Sequence, residues 1–447
     1  MTQLANYIAG ASAMPLPEAV VEKTKHHILD TLAAMVSGSR LLPGQRAIAF
    51  AKSIGGTKEA TVIGSRFRTN AINAALTNGM LGHADETDDS HAPSLTHPGC
   101  GVVPAALAMA ERNHASGEQM LRAVALGYDV GCRLTLSLNA YEFREDGHST
   151  HSFGPMFGAA AAASALAGLN SDQVRHALSY TAQQASGVSC WMRDEEHIEK
   201  AFDFGGMPAR NGTAAACMVA HGFTAVEDVF SGERNFFVAY GRAPNPGELV
   251  RELGTTFEIM NTNIKRWSVG SPIQAPLDGL LDLIRTHGIR ARDVEKLVVR
   301  VAHQMANTVN NRNLPDICLQ HLCAVMLLDG IVTFESSHDV GRMQDPAVLA
   351  LRNRIELYGD DALAKAMPSR QGIVEMTLSD GRNLRNHVTA VRGTAQNPMT
   401  RAEVDEKSFH LMAPILGKAR ARKLCDAVWD LEKVEDLGLL SPLLRAS

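Results

Sequence analysis

The stretch SFGPMFGAAAAASALAGL, residues 152–169, is the clearest indication of a helical fold in this chain. It carries no charge, consists mainly of alanine and glycine, and is short for a membrane span, so it predicts a tightly packed buried helix. The same alanine bias returns in GVVPAALAMAE, residues 101–111, and in ARNGTAAACMVAHG, residues 209–222. Small side chains let helices approach closely, and the three segments together predict a helical core.

Helix signals extend outward from these segments. LPEAVVEKTKHHILDTLAAMVSG, residues 16–38, spaces its apolar residues by three and four, as an amphipathic helix does. Ser116 with Gln119 forms a capping box before another helical stretch, and Pro104 suits the first position of the helix that precedes it. The pattern is helical nearly throughout residues 17–222, which predicts one all-α domain.

The pattern changes after about residue 257. KLVVRVA, residues 296–302, is rich in β-branched side chains and predicts a strand. GIVEMTLSDGRNLRNHVTAV, residues 372–391, predicts a hairpin that turns at Asp380-Gly381. Helical signals stand between the two, among them a start at Asp345-Pro346, so this part of the chain predicts a smaller α/β domain.

Helical signals return near the end of the chain, where Thr400 and Glu403 form another capping box. The smaller domain can therefore be an insertion into the larger one. We predict a mainly α fold with a large all-helical domain, residues 1–256 plus 398–447, and an inserted α/β domain, residues 257–397.

Composition excludes several classes of protein. The chain has 43 basic and 48 acidic residues and no long basic run, so nucleic acid is not an expected partner. Its seven cysteines contain no C-x-x-C pair and predict reduced thiols in a cytoplasmic protein. The first twenty residues lack the features of a secretory signal, and we expect no association with a membrane.

The segment GHADETDDSHAPSLTHPG, residues 82–99, concentrates titratable side chains: His83, Asp85, Glu86, Asp88, Asp89, His91 and His97. Prolines and glycines keep it a loop that leads into a helix, and the amides at a helix start favour a carboxylate. A histidine beside an acid is held as a base near neutral pH. The segment predicts a proton-transfer site for an anionic substrate.

Two other interpretations of this loop stay open. Each acid taken alone is explained by a solvated loop with capping and turn roles. Histidine and aspartate are also metal ligands, but DETDDS, residues 85–90, lacks the glycine and terminal glutamate of a calcium loop, and no H-x-x-x-H pair is present there. We predict no metal.

Two further polar loops precede alanine-rich helices. EDGHSTHSFG, residues 145–154, carries His148 and His151, and Lys200 stands shortly before Gly205-Gly206. If the three helices bundle in the same sense, their loops converge on one cleft that offers histidines for protons and a cation for carboxylates. The alternative for each histidine alone is a satisfied, half-buried side chain.

Several segments resemble the MmgE/PrpD family, which includes 2-methylcitrate dehydratases, cis-aconitate decarboxylases and an iminodisuccinate epimerase. They are DDSHAPSLTHPGCGVVPAALAMAE (88–111), ALGYDVGCRL (125–134), KAFDFGGMPARNGTAAA (200–216) and CAVMLLDG (323–330). The resemblance covers nearly the whole chain. It implies that the α/β domain is a lid, that the protein is a homodimer, and that neither a metal nor another cofactor is needed.

The resemblance also implies which residues form the site. The catalytic residues that it implies are His97, His148, Glu86, Ser90 and Lys200. The substrate-binding residues that we expect are Lys265, His321, His151 and Asp89.

The chain departs from the family pattern at several of these positions. Glu86 stands where relatives often have aspartate, and Ser90 where they often have threonine. Asp203 stands where relatives commonly show histidine, and His321 where a tyrosine is expected. The segment that carries these histidines is one residue longer between Gly154 and Gly158 than expected, which makes His151 a rival to His148.

These features predict a lyase that dehydrates a citrate-like hydroxy polycarboxylate. His97 and His148 would exchange protons, Lys200 and Lys265 would hold carboxylates, and Glu86 would orient a histidine or the substrate hydroxyl. An epimerase or isomerase, or a decarboxylase, acting on a related di- or tricarboxylate is an alternative with the same carbanion chemistry. A non-catalytic carboxylate-binding protein is the alternative from another class.

Overall fold

The computed structural model describes residues 1–446, and its secondary structure is mainly α-helical. The helices in chain order are α1 (Thr2–Gly10), α2 (Glu18–Gly38), α3 (Leu42–Ile54), α4 (Ala71–Gly82), α5 (Pro98–Arg112), α6 (Gly117–Ser137), α7 (Ala140–Glu145), α8 (Thr150–Leu166), α9 (Ser171–Gln184), α10 (Ile198–Ala201), α11 (Met207–Ala220), α12 (Phe236–Tyr240), α13 (Gln274–His287), α14 (His303–Val309), α15 (Leu319–Asp329), α16 (Phe334–His338), α17 (Pro346–Arg352), α18 (Asp361–Lys365), α19 (Arg401–Leu416), α20 (Lys418–Trp429) and α21 (Ser441–Leu444). The strands are β1 (Ala60–Thr61), β2 (Arg68–Thr69), β3 (Val294–Ala302), β4 (Ile355–Asp360), β5 (Gly372–Leu378) and β6 (Asn383–Val388).

The chain forms two compact units. The larger unit consists of residues 1–84, 88–262 and 400–447, and the smaller unit consists of residues 85–87 and 263–399. The acidic loop is thus divided, because its three residues 85–87 pack with the smaller unit while both flanks belong to the larger one.

Helix α8 is the centre of the larger unit, and all its residues from Thr150 to Ala165 are buried. It packs against α5, α6 and α11, where glycines allow close approach. A Cβ placed on Gly158 would lie 2.3 Å from the carbonyl oxygen of Gly127 in α6. The prediction of a tightly packed buried helix is confirmed, and no helix in residues 1–446 has the length and apolar character to cross a membrane.

Helix starts follow the capping signals. The capping boxes of Ser116 with Gln119 and of Thr400 with Glu403 both form. The predicted helix start at Pro104 is wrong, because α5 begins at Pro98 and contains Pro104 in its interior. Pro98 suits the first helical position, where an amide hydrogen would have no partner within the helix.

The larger unit is not purely helical. Strands β1 and β2 form a short antiparallel pair in which Ala60 aligns with Thr69. Strands of two residues are too short to show the alternation that reveals a strand in sequence, which is why the expectation of an all-helical domain missed them.

The smaller unit contains a mixed sheet in the order β4-β3-β5-β6. Strand β3 runs parallel to β4 and antiparallel to β5, and β5 and β6 form the predicted hairpin, with Gly381 at a positive φ of 85° in its turn. Helix α17 begins after Asp345, which caps it as expected. Strand β4 was not predicted.

Candidate functional site

The starts of α5, α8 and α11 meet in the larger unit. A Cβ placed on Gly101 of α5 would lie 2.6 Å from the Cβ of Pro155 in α8 and 3.3 Å from that of Pro208 in α11. The three polar loops that precede these helices therefore converge, as the sequence predicted for helices that bundle in the same sense.

Asp88 binds two histidines at this meeting point. One carboxylate oxygen lies 2.9 Å from Nδ1 of His83 and the other lies 3.1 Å from Nδ1 of His97, and Asp88 and His83 are fully buried. An ionised carboxylate only accepts hydrogen bonds, so both Nδ1 atoms donate and each ring keeps Nε2 for other contacts. The carboxylate that orients His97 is thus Asp88, to which the sequence had not assigned a role.

Phe204 separates two of the clustered histidines. Its ring stacks on His83 with centroids 4.2 Å apart and on His151 with centroids 3.9 Å apart. One face of a phenyl ring has no room for two stacked imidazoles, so the two histidines lie on opposite faces. His97 completes the cluster, with its ring centroid 5.1 Å from both His83 and His151.

A π-helix, Phe202–Gly206, holds Phe204 in this position. A Cβ on Gly205 would lie 2.0 Å from the carbonyl oxygen of Gly79 in α4, so only glycine allows this contact. The wider turn of a π-helix is common at functional sites. The Gly205-Gly206 pair seen in the sequence is therefore a packing requirement of the segment that carries Phe204.

The structure brings His151, and not His148, into the cluster. Burial lowers the pKa of His151 well below its usual value, and the nearby His97 lowers it further, so His151 is neutral. His148 is half-buried and stacks instead on Phe143, with ring centroids 4.5 Å apart. His151, three positions after His148, is therefore the histidine of this segment that lies beside His97.

Lys200 supplies a positive charge next to the histidines. Its ammonium lies 5.3 Å from the ring centroid of Phe204 and 5.6 Å from that of Trp191. Both distances are in the range of cation–π attraction. The lysine side chain is half-buried, and its place fits the expected role of holding a carboxylate.

Asp203 is a second buried acid near the cluster. It accepts a hydrogen bond from the hydroxyl of Ser149, which in turn accepts one from Nε1 of Trp191 at 3.2 Å. Burial raises the pKa of Asp203 to about 7, although the bond from Ser149 opposes the shift. This carboxyl therefore changes charge near neutral pH at the position where relatives commonly carry histidine.

Asp89, predicted to bind substrate, makes its contacts in the structure with a separate group of residues. Its fully buried carboxylate accepts hydrogen bonds from Nδ1 of His27 at 2.6 Å, the hydroxyl of Tyr128 at 2.6 Å and the amide of Gly99 at 3.0 Å. Burial and, to a smaller extent, the nearby Lys23 lower the pKa of His27 to about 4. Asp89 thus fixes the start of α5, and Ser90 is buried beside it.

Two predicted site residues pair with each other in the smaller unit. The ammonium of Lys265 donates to the carbonyl oxygen of Glu86 at 2.9 Å and lies 3.3 Å from its carboxylate. Next to Glu86 in the chain, Asp85 binds Nε2 of His338 at 2.9 Å. Burial alone would lower the pKa of His338, but the hydrogen bond to Asp85 together with the negative charges of Asp85 and Asp316 outweighs it, and the pKa is about 9.

His321 stands at the start of α15 in the smaller unit and is fully buried. Neither ring nitrogen has a hydrogen-bond partner among residues 1–446. Burial lowers its pKa to about 4, and Arg352 adds to the effect, so the ring is neutral.

One group of side chains in the larger unit could hold a metal ion. His83, Asp88 and His97 each offer one ligand atom, and these atoms lie within 4.8 Å of one another. The same distances also fit two hydrogen bonds from the histidines to one carboxylate. The geometry is therefore compatible with a metal site and with a hydrogen-bonded cluster without metal.

Comparison with known proteins extends over nearly the whole chain. Residues 2–248 match the model of the MmgE/PrpD N-terminal domain, and residues 267–431 match that of the MmgE/PrpD C-terminal domain. The chain is 26% identical to human cis-aconitate decarboxylase, covering 99% of the chain and 93% of that protein. It is 24% identical to a cis-aconitate decarboxylase-like protein of Aspergillus oryzae (99% and 96%) and 22% identical to cis-aconitate decarboxylase of Aspergillus terreus (99% and 95%).

Proposed function

Because the chain belongs to the MmgE/PrpD family, we propose that it is a lyase that acts on a small di- or tricarboxylate by histidine-mediated proton transfer. The observation that carries the proposal is the pair formed by Asp88 and His97 at the point where three helix starts meet. A carboxylate that holds Nδ1 fixes the tautomer and leaves Nε2 as the nitrogen that exchanges a proton.

The surroundings of His97 fit this chemistry. His151 is neutral beside it, and the ammonium of Lys200 stands over the aromatic rings that border the cluster. A carbanion next to carboxylates needs both a positioned proton carrier and fixed positive charge. A proton carrier of this kind contributes about 10²- to 10⁴-fold in rate.

Decarboxylation is the first candidate reaction, because the similar proteins named above are cis-aconitate decarboxylases. In this reaction the bond between carbon and a carboxylate breaks, carbon dioxide leaves, and the electron pair that remains on carbon takes up a proton from a histidine. Dehydration, predicted from the sequence, is the second candidate. It is favoured by Asp88, which holds two imidazoles where dehydration needs both a base and an acid.

A substrate screen tests the proposal. The purified protein is incubated with cis-aconitate, citrate and 2-methylcitrate, and products are followed by proton NMR and by absorbance of the conjugated acid. Loss of carbon dioxide or of water from any of them supports a lyase. Exchange of substrate hydrogen with deuterium oxide without a net product supports an epimerase, and saturable binding without exchange or product supports a non-catalytic carboxylate-binding protein.

The remaining features are part of the same proposal. We expect a metal-independent, cytoplasmic homodimer whose smaller unit acts as a lid. Light scattering of the purified protein gives the mass in solution and contradicts the homodimer if it returns the mass of one chain.

A further inference from the structure

We propose that His83 is a second catalytic histidine, which contacts the substrate through Nε2 and shares one proton with His97 across Asp88. The inference rests on the proposed lyase function and adds a residue to it. The sequence marked His83 only as one of many titratable groups in a loop.

His83 has a surrounding that a purely structural histidine does not need. The side chain is fully buried, its Nδ1 is bound to Asp88, and its ring stacks on Phe204. The rings of His97 and His197 both lie with their centroids 5.1 Å from that of His83. Two further imidazoles of the larger unit therefore adjoin this ring, and His151 lies on the other face of Phe204.

The second ring nitrogen of His83, Nε2, is the atom through which this ring would contact a substrate. Its Nε2 is buried and has no hydrogen-bond partner among residues 1–446. Nε2 of His27 likewise has no such partner, so it is the place of His83 against Phe204 and His97 that points to a substrate contact. A hydroxyl or carboxylate of a bound substrate supplies the missing partner.

Charge on Asp88 limits the pair to one extra proton. A single carboxylate charge stabilises one imidazolium, and a second positive charge on the other ring would be repelled. Between His83 and His97, one Nε2 is then a proton donor while the other carries a lone pair. The two rings form a matched acid and base on one anchor.

This pair can carry out both parts of a dehydration. The neutral histidine takes a proton from carbon as the carbon–oxygen bond breaks, and the protonated histidine gives its proton to the leaving hydroxyl. The substrate loses one molecule of water, and the two histidines have exchanged their protonation states. In a decarboxylation, only the protonated member is needed, because carbon dioxide leaves and the carbanion takes one proton.

Substitution of His83, with His27 as the matched control, is the first test. His27 is also fully buried, also bound through Nδ1 to an aspartate, and also has an unpartnered Nε2, but it lies in the Asp89 network. We expect folded His83→Asn to lose about 10²-fold or more in kcat. His27→Asn should stay within a few-fold of wild type. A folded His83→Asn that keeps wild-type kcat overturns the inference.

An NMR titration keeps the inference testable if His83→Asn does not fold. In wild-type protein labelled with 15N in histidine, unreactive tricarballylate is added and the ring nitrogens are followed. We expect saturable shifts of Nε2 in both His83 and His97, and none in His27. A shift at His97 without one at His83 overturns the inference but leaves the lyase proposal intact. Shifts at both, together with no turnover in the substrate screen, overturn the lyase proposal and leave His83 as a ligand contact.

Discussion

Two adjacent aspartates, Asp88 and Asp89, each bind histidine in the larger unit. The two hydrogen-bond networks differ in whether the residues bound to the aspartate can exchange protons with a substrate. Asp88 binds His83 and His97, both of which adjoin Phe204 in the cluster that Lys200 borders. Asp89 binds His27, Tyr128 and the backbone amide of Gly99. The first carboxylate holds two groups that can exchange protons, whereas the second holds the start of a helix.

The difference shows that a buried histidine–aspartate pair is not in itself a catalytic feature. His27 makes the shorter contact with its aspartate, 2.6 Å against 3.1 Å for His97. His97 differs from His27 because other histidine rings lie beside it and a lysine borders the same cluster. The Asp89 network instead fixes the backbone amide of Gly99 at the start of α5.

Loss of His97 is the largest effect that we expect. His97→Asn keeps a similar shape and removes the titrating nitrogen, so kcat should fall about 10²- to 10⁴-fold while circular dichroism stays unchanged. His114→Asn is the control, since His114 is exposed, lies in the turn after α5 and has a positive φ that asparagine tolerates. If the folded His97→Asn variant keeps kcat within a few-fold of wild type, the Asp88 network is structural as well.

Removing the charge of Asp89 should lower stability more than catalysis. In Asp89→Asn an amide replaces one oxygen and meets donors from His27 and Tyr128, so the free energy of unfolding should fall by about 1–3 kcal/mol. Urea unfolding measures it, with the exposed Asp426→Asn as a control expected within about 0.5 kcal/mol of wild type. A larger loss of kcat than in His97→Asn, at unchanged stability, would contradict the assigned difference between the two aspartates.

Asp203 offers a test of a buried acid that belongs to neither network. Its pKa of about 7 lies above that of an aspartate in an unfolded chain, about 3.9, so the folded state binds the proton more tightly. This contribution to stability is complete at low pH and is lost as pH rises towards 7. Asp203→Asn should therefore flatten the decline in stability between about pH 4 and pH 7. Parallel curves for the variant and wild type, from urea unfolding at several pH values, would contradict this.

Chelation should have no effect, and this is the smallest change that we predict. His83, Asp88 and His97 could bind a cation, but the proposed chemistry uses their protons and the charge of Lys200. Activity after dialysis against EDTA should equal that before it. If activity is lost and one divalent metal restores it, His83, Asp88 and His97 are metal ligands, and the proposed contrast between Asp88 and Asp89 is wrong.

Much of the architecture is visible in local patterns. Alanine and glycine in residues 152–169 indicated the buried helix α8, and Thr400 with Glu403 indicated the start of α19. Strand β4 had no such signal. It pairs in parallel with β3, more than fifty residues earlier, so its formation depends on a distant partner strand that the local sequence does not indicate.

The mainly helical fold, the family and the three loops that carry the polar groups can be recognised in the sequence alone, because periodicity, capping and motifs act over a few residues. Three-dimensional contacts were needed to show that Asp88 orients His97, that His151 rather than His148 lies beside it, and that Asp89 binds the amide at the start of α5. Side-chain direction in an irregular loop depends on contacts from distant parts of the chain. His27, sixty-two positions before Asp89, is one such contact, and Phe204, from a π-helix, is another.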